Sequence, residues 1–139
     1  MICHEQNLGL REHILRCGDL TEKYGAIIML EDDLGVSKFF YKYTLQALEQ
    51  FSDNEKIAGI SLYKPPVILN YGSNFYPMDN GLGYYYIQFP QSWGQVWTTK
   101  QWSAFRQWYG VERNRNKKLD VPKCVAHWPE SSWLKYFTR

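Results

Sequence analysis

The sequence predicts an α/β fold, in which a mixed sheet is flanked by helices. Helical and strand-like patterns alternate between Asn7 and Leu62 in the order helix, strand, helix, strand, and this alternation is the repeating unit of a parallel sheet. The first apolar strand ends abruptly in the acidic triplet Glu31-Asp32-Asp33. Because such sheets bind ligands at the carboxyl ends of their strands, we expect a ligand site at this edge.

The stretch Asn7–Lys23 is predicted to form the first helix. Leu10, Ile14 and Cys17 fall on one stripe at helical spacing, with arginine and glutamate residues between them. The asparagine that begins this stretch is a good N-cap. Gly25 follows shortly after the stretch and is expected to end the helix.

A continuous apolar run, Ala26–Leu30, is predicted to form a strand that is buried on both faces. Ser37 can cap the next helix, Lys38–Phe51, and Ile57–Leu62 is predicted to form a second short strand. The apolar stripe of that helix consists of Phe40, Tyr43, Ala47 and Phe51. We expect both strands to belong to one parallel sheet.

Beyond Leu62 the pattern changes to a segment rich in proline and glycine, which predicts loops. A further strand is predicted at Tyr84–Phe89 and a helix at Thr99–Tyr109, and Ser131 can cap a last short helix. The apolar side of the Thr99–Tyr109 helix consists of Trp102, Phe105 and Trp108.

The composition is that of an ordinary globular domain. The chain has 139 residues, which suits one domain, and 45% of them are hydrophobic and 22% charged. The net charge of +2 argues against a dedicated nucleic-acid binder, which would carry a concentrated basic face. The basic stretch Arg113–Lys118 is interpreted as a solvated loop. No apolar run approaches the roughly 18 residues that a membrane span needs.

The three cysteines, Cys3, Cys17 and Cys124, are an odd number without a tight pairing pattern, and the N-terminus lacks the order of a secretory signal. These features predict a reducing, cytoplasmic location. Cys124-x-x-His127 has the spacing of half a zinc site. We identify no second Cys/His pair with ligand spacing that would complete it.

The acidic triplet needs a physical explanation, because three adjacent carboxylates repel one another and lower stability unless a cation or hydrogen bonds offset the repulsion. Hard oxygen ligands suit Mg²⁺ or Mn²⁺. Glu31-Asp32-Asp33 is therefore a candidate metal site in which a diphosphate supplies further oxygens. The alternative is a solvated acidic turn before the helix that Ser37 caps, where acids favour the helix macrodipole.

The residues around the triplet resemble a known family. Asn7–Leu10 (N-L-G-L), Ala26–Leu34 (A-I-I-M-L-E-D-D-L) and Phe39–Tyr41 (F-F-Y) resemble the GT-A glycosyltransferases, and most closely the branch related to N-acetylglucosaminyltransferase I. Later segments resemble the Gly-Trp and Trp-Pro-x-x-x-Trp parts of that family; they are Trp93-Gly94, Trp97, Trp102 and Trp128–Trp133. The resemblance covers most of the chain.

The resemblance implies a partial GT-A fold, a single domain truncated before its N-terminal nucleotide-binding strands. Residues 1–63 would be its metal and donor half, and 64–139 its acceptor half. It implies metal-dependent, inverting transfer of a sugar from a nucleotide-diphospho-sugar to a hydroxyl of a glycan or other acceptor, with Mn²⁺ or Mg²⁺ as cofactor. Asp33 would ligate the metal, and Asp32 and Glu31 would bind the donor.

The catalytic base of that family is an aspartate directly after the second Trp of the Trp-Pro segment, and Leu134 stands at this position. Glu130 is the candidate base, because aromatic surroundings can tune a carboxylate for proton transfer. The alternative is that Glu130 is a first-turn acid of a helix. His127 is a candidate for an additional metal ligand, and packing beside Trp128 is its alternative.

Trp93, next to Gly94, is the tryptophan that we expect to bind the acceptor, whereas Trp102 and Trp108 have the spacing of a helix core. The alternative function is a carbohydrate- or partner-binding module without catalysis. A metal-dependent phosphoryl-transfer enzyme is a weaker alternative, because we find no Gly-rich phosphate loop. An incomplete sheet leaves an exposed edge strand, which predicts pairing with another copy of the chain.

Overall fold

The computed structural model describes residues 2–66, 73–88 and 91–112. The chain divides into two compact units, which are described separately. The first unit comprises Met1–Tyr63 and Gln91–Phe105, and the second comprises Lys64–Pro90 and Arg106–Arg139. The described part is a mixed α/β structure with a small three-stranded sheet.

Two consecutive helices, α1 (Gly9–Asp19) and α2 (Thr21–Tyr24), form where one long helix was predicted. The helix begins two residues later than predicted, with Leu8 and not Asn7 as its N-cap. The Asn7 side-chain oxygen still accepts a hydrogen bond from the backbone N–H of Gly9 at 2.8 Å. The end agrees with the prediction, because Gly25 adopts a φ of 79°, a left-handed conformation that few other residues tolerate.

The packing of α1 differs from its predicted stripe. Leu10 is 78% exposed, so the apolar stripe does not reach the first turn of the helix. The buried position is Gly18, and the indole of Trp102 lies directly against it. Trp102 also donates a hydrogen bond from Nε1 to Asp19 Oδ1 at 2.8 Å. The last turn of α1 is therefore the part that is anchored to the core.

The sheet has the order β1-β3-β2, with β1 at Ala26–Met29, β2 at Ile60–Ser61 and β3 at Gln95–Thr98. Both outer strands pair antiparallel with β3, so the predicted parallel or mixed pairing is wrong for the sheet that the structure describes. The strand β3 comes from later in the chain and lies between the two strands expected to be neighbours. The predicted full burial of β1 is also wrong, because all four of its residues are half-buried.

The helix α3 (Phe40–Phe51) confirms the predicted second helix, and Ala47 and Phe51 are buried on its apolar side. The following strand is shorter than predicted. The backbone N–H of Ile57 donates to the carbonyl oxygen of Asn54 at 3.1 Å. Ile57 is thus part of a turn, and the paired strand begins only at residue 60.

The last described helix, α4 (Thr99–Glu112), confirms the predicted helix at this position. Its buried side chains Trp102 and Phe105 pack with Trp97 of β3, with ring centroids 4.9–5.8 Å apart. The helix is also tied to the start of β1. Thr99 donates from its backbone N–H to the carbonyl oxygen of Gly25 at 3.0 Å.

In the second unit, Tyr84–Gln88 is not a strand, so the strand predicted at Tyr84–Phe89 is wrong over the residues described there. Residues 84–88 form no strand-to-strand backbone hydrogen bonding with another described segment. Its aromatic rings pack instead, with Phe75 and Tyr85 centroids 5.5 Å apart. Among the described helices, none combines the length and apolar character needed to cross a membrane.

Candidate functional site

A cleft of about 350 Å³ opens in the first unit, at the edge of the sheet where β1 and β2 end. Met29 and Ser61, the last residues of these two strands, both lie opposite Gln95, the first residue of β3. Since both outer strands run antiparallel to β3, their carboxyl ends meet at one edge. Residues that follow each strand, such as Leu30 and Leu62, therefore line a common cleft.

Gly94 closes the floor of this cleft. The backbone N–H of Leu62 donates to the carbonyl oxygen of Gly94 at 2.9 Å. Gly94 has a φ of 63°, and an added Cβ would lie 3.2 Å from the Leu62 Cβ atom. Both the conformation and the close approach favour glycine. This contact brings the segments after β2 and before β3 together.

One wall of the cleft is aromatic. The rings of Tyr63 and Trp93 meet edge to face, with centroids 5.0 Å apart and planes at 86°. Trp93 is 42% exposed. Its indole contacts Tyr63 and stays partly exposed; its assignment to the acceptor stays a prediction.

Further lining residues come from the segment that leads into α3. The backbone N–H of Phe39 donates to Ser37 Oγ at 3.2 Å, and that of Phe40 donates to the Ser37 carbonyl oxygen at 3.0 Å. Ser37 thus stabilises the turn before α3, but the N-cap is Phe39, so the prediction that Ser37 caps the helix is wrong. The rings of Phe39, Phe40 and Tyr43 line the cleft, and Phe39 is 60% exposed.

The acidic triplet lies in a turn between two residues that line the cleft. The backbone N–H of Leu34 donates to the carbonyl oxygen of Glu31 at 3.2 Å, which closes the turn. Leu30 and Leu34, on either side of the triplet, line the cleft, whereas Glu31, Asp32 and Asp33 are exposed. The acids form no side-chain hydrogen bond or ion pair with another described residue.

The three carboxylates of this turn are the kind of oxygen ligand that a divalent metal can use. Carboxylate oxygens are hard ligands, and Mg²⁺ is commonly held by one or two carboxylates together with substrate phosphates. Across residues 2–66, 73–88 and 91–112, no three His, Cys, Asp or Glu side chains converge to hold a metal by themselves. Among the described residues, the exposed triplet does not form a complete metal cage by itself.

The other predicted site residues lie outside the described residues. They are the candidate base Glu130, the position Leu134 where the family has its base, the candidate ligand His127 and its neighbour Cys124. Their roles stay predictions. Trp102, which the sequence assigned to the core of a helix, is 3% exposed, and Trp97 is 6% exposed, so both belong to the core.

The sequence analysis missed the cleft residues Tyr63 and Phe39. Tyr63 directly follows the second predicted strand, so the rule used for the acids after the first strand would have identified it. It also missed a second Cys/His pair. His13 and Cys17 are four residues apart in the first helix and lie on one face, a spacing visible in the sequence.

Comparison of this chain with protein-family models, with curated proteins and with solved structures finds no match.

Proposed function

We propose that this chain carries the metal- and donor-binding part of a GT-A-type glycosyltransferase, which transfers a sugar from a nucleotide-diphospho-sugar to an acceptor hydroxyl. The observation that carries the proposal is the position of the acidic turn. The turn Glu31–Leu34 follows the end of β1, the adjoining Leu30 and Leu34 line a cleft, and the carboxylates of the turn are exposed. The resemblance of the segment Ala26–Leu34 to that family supports the same assignment.

In this proposal Asp33 ligates Mn²⁺ or Mg²⁺, and Asp32 and Glu31 order the nucleotide and sugar of the donor. A divalent metal at this position stabilises the negative charge that grows on the departing diphosphate. Since the three acids are exposed and have no competing partner among the described residues, they can take up a metal–diphosphate without first losing another interaction.

The acceptor binds in the cleft beside the donor. Trp93 offers an apolar face and Tyr63 holds it from the side, an arrangement that suits stacking on a sugar ring. Glu130 is the carboxylate that we assign as base, from its place in the sequence. When the base takes the proton of the acceptor hydroxyl, the acceptor oxygen would bond to the anomeric carbon on the face opposite the departing diphosphate, so the configuration at that carbon inverts.

A carbohydrate-binding module without catalysis is the second candidate. The wall of aromatic side chains supports it, and so does Leu134, which replaces the aspartate expected of the family. The side chains that line the cleft carry no formal charge. Such a module would bind a glycan through the cleft and would not need the metal.

Binding measurements test the proposal. We expect calorimetry to detect binding of a nucleoside diphosphate or its sugar conjugate in the presence of Mn²⁺, and a chelator to abolish it. Uridine, guanosine, adenosine and cytidine diphosphates should be compared, since the base is not specified by the cleft. Failure of all four to bind in a metal-dependent way would contradict the assignment. Metal-independent glycan binding would favour the module.

Pairing of two copies along β1 also remains a proposal. In the described sheet β1 is an outer strand, with β3 on one side only. A free strand edge can pair with another chain. Light scattering across a range of protein concentrations tests this, and a monomer throughout would contradict it. The cytoplasmic location likewise stays a prediction.

A further inference from the structure

A second group of metal-binding side chains lies at the start of the chain. His13 Nε2 and Cys17 Sγ are 3.5 Å apart on α1, one helical turn from each other. The ring of His4 meets the ring of His13 edge to face, with centroids 6.2 Å apart. Both histidines line a pocket of about 330 Å³ that shares no residue with the cleft.

The separation of these two atoms matches the geometry of zinc. Zn–N bonds of roughly 2.0–2.1 Å and Zn–S bonds of roughly 2.3 Å, at a tetrahedral angle, place the two ligand atoms roughly 3.5 Å apart. His13 Nε2 and Cys17 Sγ already have this spacing. One ion can therefore bridge them with little movement of the helix.

The pair also has the chemistry and access that zinc requires. Imidazole nitrogen and thiolate sulfur are ligands that zinc prefers, in contrast to the carboxylates of the acidic turn. Cys17 is a free cysteine and is half-buried, while His13 is exposed. Two ligands four residues apart on one helix face form a recurrent metal-binding arrangement.

We propose that His13 Nε2 and Cys17 Sγ bind Zn²⁺, with His4 as the third protein ligand and water as the fourth. Cys17 releases its thiol proton to solvent when the Zn–S bond forms. No three such side chains already converge among the described residues, so His4 turns its ring within the pocket to reach the ion. The consequence is a metal clip that fastens the segment before α1 to the helix.

Cobalt substitution tests this proposal directly. Co²⁺ added to the metal-free protein should produce a thiolate-to-cobalt charge-transfer band, and Zn²⁺ should displace it. Cys17→Ser should abolish the band. His13→Ala should weaken Co²⁺ binding at least about tenfold. Loss of a residue that only hydrogen-bonds to a metal ligand already lowers metal affinity by about this factor, so loss of the ligand itself should lower it at least as much. His13 is exposed, so this variant keeps the core and separates loss of a ligand from loss of folding.

Matched variants identify the thiolate and the third ligand. Cys3→Ser and Cys124→Ser should keep the band, and Zn²⁺ should protect Cys17 from alkylation while exposed Cys3 stays reactive. His4→Ala should lower affinity and leave the band in place. Loss of the band in Cys124→Ser, or its retention in Cys17→Ser, would overturn the proposal. Absence of any charge-transfer band would also contradict the proposal. It would mean that His13 and Cys17 form only a hydrogen bond between imidazole and thiol.

Discussion

Trp102 of α4 packs its indole directly against Gly18 of α1 and donates a hydrogen bond from Nε1 to Asp19 Oδ1 at 2.8 Å. Gly18 belongs to the first of the two chain segments that make up the first unit, and Trp102 belongs to the second. Gly18 is needed because a Cβ atom at this position would overlap the six-membered ring of the indole. The contact joins α1 to the aromatic cluster that Trp102 forms with Trp97 and Phe105.

Gly18→Ala should therefore destabilise the protein. A methyl group forced against a buried indole that is 3% exposed costs about 1–3 kcal/mol, and more if the ring cannot shift. Urea denaturation followed by tryptophan fluorescence measures the change in the free energy of unfolding. Gly110→Ala is the matched control, because Gly110 also lies in a helix but has open space around it. This control should gain about 0.5–1 kcal/mol, and equal effects at both sites would contradict the packing.

Two buried threonines predict opposite effects of the same substitution. Thr21 is fully buried, and its Oγ1 atom has no hydrogen-bond partner in the described structure. Thr44 is equally buried, but its Oγ1 donates to the carbonyl oxygen of Phe40 at 2.9 Å. Thr21→Val removes an unsatisfied hydroxyl and should raise the free energy of unfolding by about 1 kcal/mol, whereas Thr44→Val should lower it by about 0.5–1.5 kcal/mol.

Thermal and chemical denaturation of the two variants measure whether the free energy of unfolding rises or falls in each. Valine has nearly the shape of threonine, so the hydroxyl is the main difference in each case. A lower stability of Thr21→Val would mean that its hydroxyl has a partner, such as a bound water molecule. That outcome would contradict the statement that the Thr21 hydroxyl has no hydrogen-bond partner.

The helices and the first strand could be predicted from the sequence because their signals are local. The apolar spacing of α3, the asparagine before α1 and Gly25 after α2 act within a few residues of each element. The position of the acids at a strand end followed from the same local pattern. These are the parts of the site for which prediction and structure agree.

The pairing of the strands could not be predicted because it depends on a distant segment. Gln95–Thr98 was not predicted to be a strand, yet it lies between β1 and β2 and reverses the direction of both pairings. Its residues Val96 and Trp97 are buried. Both residue types favour strands, but a run of four residues does not specify which strands it pairs with. The aromatic cleft depends on this insertion, since β3 brings Trp93 to the ends of the outer strands.

Asp33→Asn should abolish metal-dependent binding of a nucleoside diphosphate, if the proposed donor site is correct. The amide keeps the shape of the side chain and removes the charge that attracts a hard divalent cation. Asp53→Asn is the matched control, because Asp53 is also an exposed aspartate in a turn of the first unit. Calorimetry in Mn²⁺ should show a loss of at least about tenfold in affinity, roughly 1.4 kcal/mol, only in Asp33→Asn. An equal loss in both variants would indicate a general effect of charge.

Trp93→Ala should weaken binding of the sugar and leave metal binding unchanged. Trp93 is 42% exposed and contacts Tyr63 edge to face. Loss of this aromatic pair should lower the free energy of unfolding by only about 0.5–1.5 kcal/mol, in addition to the effect of the lost apolar area. The affinity for a nucleotide-sugar should fall about tenfold relative to the free nucleotide, roughly 1.4 kcal/mol, and Trp93→Phe should recover much of it. Tyr76→Ala is the control, because Tyr76 is an aromatic residue that is 77% exposed and does not line the cleft. If both alanine variants lower the affinity equally, or neither does, the sugar is bound elsewhere and the cleft is not its site.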